Sequence, residues 1–180
     1  SAIKNNDKVG VIFFSDIIEE FIPPKNGKSH ILRIIRQILS FKPKNKKTDI
    51  SQAIEYFNNV MKKRCICFIL SDYISPSFEK PLKIASKKHD IVALRISDER
   101  EKKLPNIGLV PLKDAENDTI SYVDTSSKII RNLFSKNQKE NEEELLKLFP
   151  KCGVDMIDII TGEDYVKPLI SFFKNREKRR

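Results

Sequence analysis

At 180 residues the chain can enclose one full hydrophobic core, and 39% hydrophobic residues, 11 of them Phe, exclude a disordered polymer despite 33% charged residues. No apolar run approaches the roughly 20 residues of a membrane-spanning helix, the longest being Cys65 to Leu70, and the 3 cysteines lack the Cys/His company of a zinc site, which fits a reducing, cytoplasmic setting. The net charge of +9 gathers at Lys42, Lys44, Lys46 and Lys47 and at Lys174, Arg176, Lys178, Arg179 and Arg180; without interleaved aromatics these read as a solvated loop and tail.

In chain order, Val9 to Phe14 reads as a buried strand, and Ile17 to Ile22 as its hairpin return, stopped by Pro23-Pro24 at an edge where proline is tolerated. Ile31, Leu32, Ile34, Ile35, Ile38 and Leu39 recur at helical spacing with Arg33, Arg36 and Gln37 on the other side, predicting an amphipathic helix that buries its apolar stripe. Thr48-Asp49, with Gln52 three residues after Asp49, opens a second helix along Ile50, Ala53, Ile54, Phe57, Val60 and Met61. Cys65 to Leu70 is continuously apolar and too short for a helix, so it is expected mid-sheet among parallel strands. Ser77 can cap a helix through Lys88, and Ile91 to Ile96 is a further buried strand. Leu109 to Leu112 and Thr119 to Val123 form an inserted hairpin around the turn Lys113 to Asp118. A helix from Ser127 to about Phe149, stopped at Cys152-Gly153, a strand from Val154 to Ile160 and a helix from Glu163 to about Arg176 complete a three-layer, doubly wound α/β domain spanning 1–180.

Three strands end in the same dipeptide: Ser15-Asp16, Ser71-Asp72 and Ser97-Asp98. The carboxyl ends of parallel strands share one edge where ligands bind, and carboxylates gathered there suit Mg²⁺ or Ca²⁺ better than zinc. Asp capping a turn explains each position singly; Asp72, ending the most apolar strand, stands out. There is no G-x-G-x-x-G after any strand and no Ser or Cys with an evident His partner, His30 and His89 being expected at exposed positions, so no enzyme activity is expected. A basic nucleic-acid-binding or nuclease-like domain is the alternative, using the +9 charge with Asp16, Asp72 and Asp98.

Ser1-Ala-Ile-Lys-Asn-Asn-Asp-Lys-Val-Gly10, Phe14-Ser-Asp16, Phe21-Ile-Pro-Pro24, Thr48-Asp49, Ile69-Leu-Ser-Asp72, Val92-Ala-Leu-Arg95, Val123-Asp-Thr-Ser126, Gly153-Val-Asp155 and Asp164-Tyr-Val-Lys-Pro-Leu169, in that order, resemble the von Willebrand factor A-like domain of the bacterial family called domain of unknown function 58. The resemblance implies a Rossmann-like fold with a metal ion-dependent adhesion site made from a D-x-S-x-S loop, a Thr and an Asp. Thr48 and Asp72 match the second and third elements; Asp16 and Asp98 are weaker candidates. The D-x-S-x-S element and the first central strand are absent, since the family carries them before the point where this chain begins, and the N-terminus has neither an initiator Met nor a targeting core. The expectation is an N-terminally truncated domain whose cation site is incomplete and whose strand edges beside Val9 to Phe14 and Cys65 to Leu70 are open to another chain. In the intact domain the resemblance implies Mg²⁺ or another divalent cation, and a protein partner such as a MoxR-type AAA ATPase in chaperone-like complex assembly.

Overall fold

The computed structural model describes residues 5–113 and 119–178. The opening Ser1 to Lys4 of the motif series, residues 114–118 of the hairpin turn, and Arg179-Arg180 of the basic tail lie outside the described residues. The chain divides into two compact units: residues up to Lys62 with Ser75–Phe78, and Lys63–Ile74 with the residues from Glu79 onward.

The first unit is a hairpin with two helices. β1 (Val9–Phe14) pairs antiparallel with β2 (Ile18–Lys25), the hairpin return expected after the first strand. The prolines do not stop β2, because Pro23 and Pro24 fall where the register shifts between Val9 and Val11 and no ladder donor is demanded of them. The backbones come so close there that a Cβ on Gly10 would lie 2.8 Å from the Ile22 carbonyl oxygen, so only glycine fits. α2 (Ile50–Val60) starts as expected: Asp49 is its N-cap and accepts from the Gln52 amide, while Ile50, Ala53 and Ile54 are buried. Tyr56 meets Phe21 of β2 edge-on, with ring centroids 5.8 Å apart.

α1 (Lys28–Ser40) forms where the periodicity placed it, but buries only part of its apolar stripe. His30 Nε2 donates to the Val9 carbonyl at 2.9 Å, Gln37 Nε2 donates to Glu20 at 2.7 Å, and Ile34 between them is buried. That polar-anchored face holds the helix on the hairpin. Leu32, Ile35, Ile38 and Leu39, expected inside, are exposed.

The second unit is built on a parallel sheet in the order β3-β4-β7, where β3 is Ile66–Ser71, β4 is Asp90–Ser97 and β7 is Asp155–Ile160. Among the described residues β3 is an edge and not the mid-sheet strand that its apolar run suggested: Ile66, Phe68 and Leu70 are exposed and alternate with half-buried neighbours. β4 is the central strand, with Ile91 to Leu94 buried on both faces. Val92, Leu94 and Ile157 form a cluster covered by Ile159 and by Leu169 and Phe172 of α6 (Val166–Lys178). α3 (Glu79–Lys88) packs on β4, and its Ser86 hydroxyl donates to the Cys152 carbonyl at 2.6 Å. α4 (Glu99–Lys102) is a single turn.

The inserted hairpin is present as β5 (Leu109–Lys113) and β6 (Ile120–Asp124). Thr125, fully buried, closes its base by donating to the Gly108 carbonyl at 2.7 Å and accepting from the Ile107 amide at 3.1 Å. α5 (Lys128–Lys151) ends as expected at Cys152-Gly153, with Gly153 at φ 67°. α6 begins three residues later than Glu163, because Asp164 accepts from the Val166 amide and so precedes the helix. His89 was expected to be exposed and is instead 1% exposed, its Nδ1 3.5 Å from the Cys65 sulfur.

Candidate functional site

The parallel sheet presents its carboxyl ends on one side, and two of the three Ser-Asp dipeptides lie there. Ser71 is level with Arg95 and Ser97 with Ile160, so Asp72 leaves the sheet two residues before Asp98 does. The end of β4 is tied to that of β7 by the Thr161 amide, which donates to the Ser97 carbonyl at 2.9 Å. Asp98 is half-buried between β4 and α4, whereas Asp72 is exposed.

What fixes Asp72 is the residue after it. Tyr73 has φ 63°, a left-handed conformation that is a genuine outlier for so bulky a side chain. Its surroundings hold it there: the side chain is 5% exposed, the hydroxyl donates to the Ile69 carbonyl at 2.8 Å, and the ring meets Phe149 edge-on at 5.0 Å. Burial pushes the phenol far above its ordinary pKa, so it stays a neutral donor. The reversed backbone turns the chain away from the strand, with Asp72 Oδ1 accepting from the Ile74 amide at 3.0 Å and the Ser71 hydroxyl at 3.3 Å. An exposed carboxylate is thus held in one orientation by a strained, well-packed turn. Sequence reasoning found Asp72 but missed Tyr73, whose identity carries no sign of its φ.

The other candidates belong to the first unit. Asp16 lies in the turn of the antiparallel β1–β2 hairpin, so the shared edge of a parallel sheet does not apply to it; its Oδ1 accepts from Asn45 Nδ2 at 2.7 Å. Beside it Glu19 Oε1 accepts from the Ser15 hydroxyl at 2.8 Å and from the Lys44 and Asn45 amides at 2.9 and 3.2 Å. Burial raises the Glu19 pKa, but these hydrogen bonds and the Lys44 charge outweigh it and leave the carboxyl below its usual range. The two carboxylates therefore clasp the lysine loop to the hairpin. Thr48 is half-buried just before α2, and its carbonyl accepts from the Ser75 hydroxyl at 3.3 Å. Thr48 and Asp72 fall in different units.

Among the described residues no group of three or more His, Cys, Asp and Glu is placed to hold a metal ion. A hard cation needs six or more oxygens, and Asp72 supplies one carboxylate already engaged in its own turn. Cys65 and His89 adjoin, but burial raises the thiol and lowers the imidazole, which favours the neutral pair over an activated thiolate. Burial pushes Cys67 up to about 12.

The sequence model of a family described as a protein of unknown function, DUF58, matches residues 1–144. The chain belongs to this family. Among the relatives of this chain, uncharacterized protein Rv1480 of Mycobacterium tuberculosis is 21% identical over 175 residues, covering 96% of this chain and 55% of the relative. Uncharacterized protein MAV169 of Mycobacterium avium is 24% identical over 160 residues, covering 87% of this chain and 94% of that protein. The DUF58 chain thus spans about half the length of relatives such as Rv1480. Its fold resembles the crystal structure of the conserved hypothetical protein BatB from Bacteroides thetaiotaomicron, with a TM-score of 0.51 and 14% identity, covering 97% of this chain and 81% of BatB. No helix among the described residues is long and apolar enough to cross a membrane.

Proposed function

We propose that this DUF58 chain is a protein-interaction module of von Willebrand A type and not an enzyme, working in the cytoplasm with a MoxR-type AAA ATPase in chaperone-like assembly of protein complexes. The observation that carries the reading is Asp72: an exposed carboxylate, fixed by the strained Tyr73 turn, at the edge of an α/β sheet where ligands bind. Such a group suits recognition, since it is oriented before a partner arrives and needs no reordering on binding. The open edge of β3 supports the finer fold reading, in which a further strand from outside residues 1–180 pairs alongside Ile66–Ser71. Mg²⁺ or a similar cation in the intact domain would draw on Asp72, with Thr48 as a separate candidate ligand.

Pull-down of a MoxR-type ATPase by the intact domain tests the reading. Asp72→Asn, which keeps an oxygen acceptor for the Ile74 amide, is expected to lower recovery about tenfold with the melting temperature nearly unchanged, as expected for loss of an interfacial charge; equal recovery overturns the role of Asp72. Calorimetric titration of residues 1–180 with Mg²⁺ or Mn²⁺ is expected to give no heat unless a segment bearing D-x-S-x-S is added, and micromolar binding by residues 1–180 alone would contradict this expectation.

A further inference from the structure

We propose that α1 and the lysine loop after it form a surface that lies on anionic lipid. Two faces of α1 are distinct. His30, Ile34 and Gln37, at i, i+4 and i+7, hold it to the hairpin. Lys28, Leu32, Ile35 and Leu39, at i, i+4, i+7 and i+11, form a line on another side with Ile38 beside it, and the four aliphatic residues are 50, 47, 83 and 55% exposed in the order Leu32, Ile35, Leu39, Ile38. A helix of 13 residues, about 20 Å long, thus shows water a ridge of large aliphatic side chains. Scattered apolar residues on a surface are ordinary; a ridge along one helix is not.

Charge identifies what covers the ridge. From Lys25 to Lys47 the sequence has Lys25, Lys28, Arg33, Arg36, Lys42, Lys44, Lys46 and Lys47 and no Asp or Glu. The loop is fixed at the C-terminal end of the helix: Phe41 stacks on Phe13 with ring centroids 4.4 Å apart, and Glu19 and Asp16 hold residues 44 and 45. Lys28 therefore begins the ridge, and the lysine loop carries positive charge beyond its end. An anionic bilayer surface offers both complements, phosphates and carboxylates for the basic groups and acyl chains for Leu32, Ile35, Ile38 and Leu39. Nucleic acid would engage the charge and leave the ridge in water, and a second copy of the chain would set eight cations against eight.

Co-sedimentation of the full chain with phosphatidylcholine vesicles, with and without phosphatidylserine, tests the surface. Binding is expected only with phosphatidylserine and is expected to weaken as salt screens the charges. Leu39→Asp, at a position already in water, is expected to weaken it about tenfold or more without moving the melting temperature, and Lys28→Glu with Lys42→Glu to weaken it similarly. Equal binding to both vesicle types overturns the proposal. So does unchanged binding by Leu39→Asp, which would reduce the surface to a polycation of the kind nucleic acid recruits, or conversion of a wild-type dimer to a monomer by Leu39→Asp in sedimentation equilibrium, which would make the ridge a self-contact.

Discussion

The central strand of the second unit and the first helix of the other both carry a series of large aliphatic residues, yet one series is enclosed and the other is largely not. β4 buries Ile91 to Leu94 because parallel neighbours flank it and elements pack on both its faces, whereas α1 rests on a two-stranded hairpin that has room for little more than Ile34. A hydrophobic pattern thus states how much apolar surface a segment offers, and the partner decides how much is taken. Truncation should separate the two most sharply. Phe149→Ala in the second unit, at a ring 1% exposed and packed on Tyr73, is expected to cost about 3–5 kcal/mol in urea denaturation, whereas Leu39→Ala should be near neutral. A comparable loss from Leu39→Ala would show that α1 is covered after all.

A smaller contrast concerns helix starts. Asp49→Ala removes the side-chain acceptor for the Gln52 amide and is expected to cost about 1 kcal/mol, while Ser127→Ala, at the start of α5 without a side-chain capping bond, should cost a few tenths at most. Equal losses would break the distinction.

The smallest effects have opposite signs in the two units. Glu19, held below its usual pKa, contributes stability that is present above the unfolded glutamate pKa and lost as pH falls through the folded one. Asp158 is raised by burial, opposed by Arg95 at 3.5 Å and reinforced by Glu142, so its contribution is favourable at acid pH and lost as pH rises through the folded value. Both are partly in solvent, which keeps each effect small. Glu19→Gln should flatten the acid limb of a stability profile and Asp158→Asn should steepen it; shifts of the same sign would contradict these assignments.

Most of the element order was legible because alternation, caps and turn residues are local: Asp49 with Gln52, Cys152-Gly153, and the flanks of the 109–124 hairpin all sit where their chemistry demands. Burial was less legible. Nothing local distinguishes Phe68 at a sheet edge from Val92 at its centre, or tells that His89 is enclosed beside Cys65. At the candidate site Asp72 followed from its place after a strand, but the reversed backbone at Tyr73 depends on Ile69 and Phe149, one of them far away in sequence. Asp16 showed the same dipeptide for a different reason, closing an antiparallel turn and clasping a loop.

The exposed edge of β3 also bears on how the molecule keeps to itself in a crowded solution. Ile66 to Leu70 is a short, uncharged, β-prone stretch with one side unpaired among the described residues, the kind of segment that templates stacking between copies. Lys63 and Arg64, both exposed, lie just before it with Cys65 between, and Asp72 lies two residues after Leu70. Charged residues at the two ends of such a segment act as gatekeepers, since in-register stacking of copies would place like charges one above another every 4.7–4.8 Å. Colloidal behaviour should therefore depend on ionic strength through these three charged side chains.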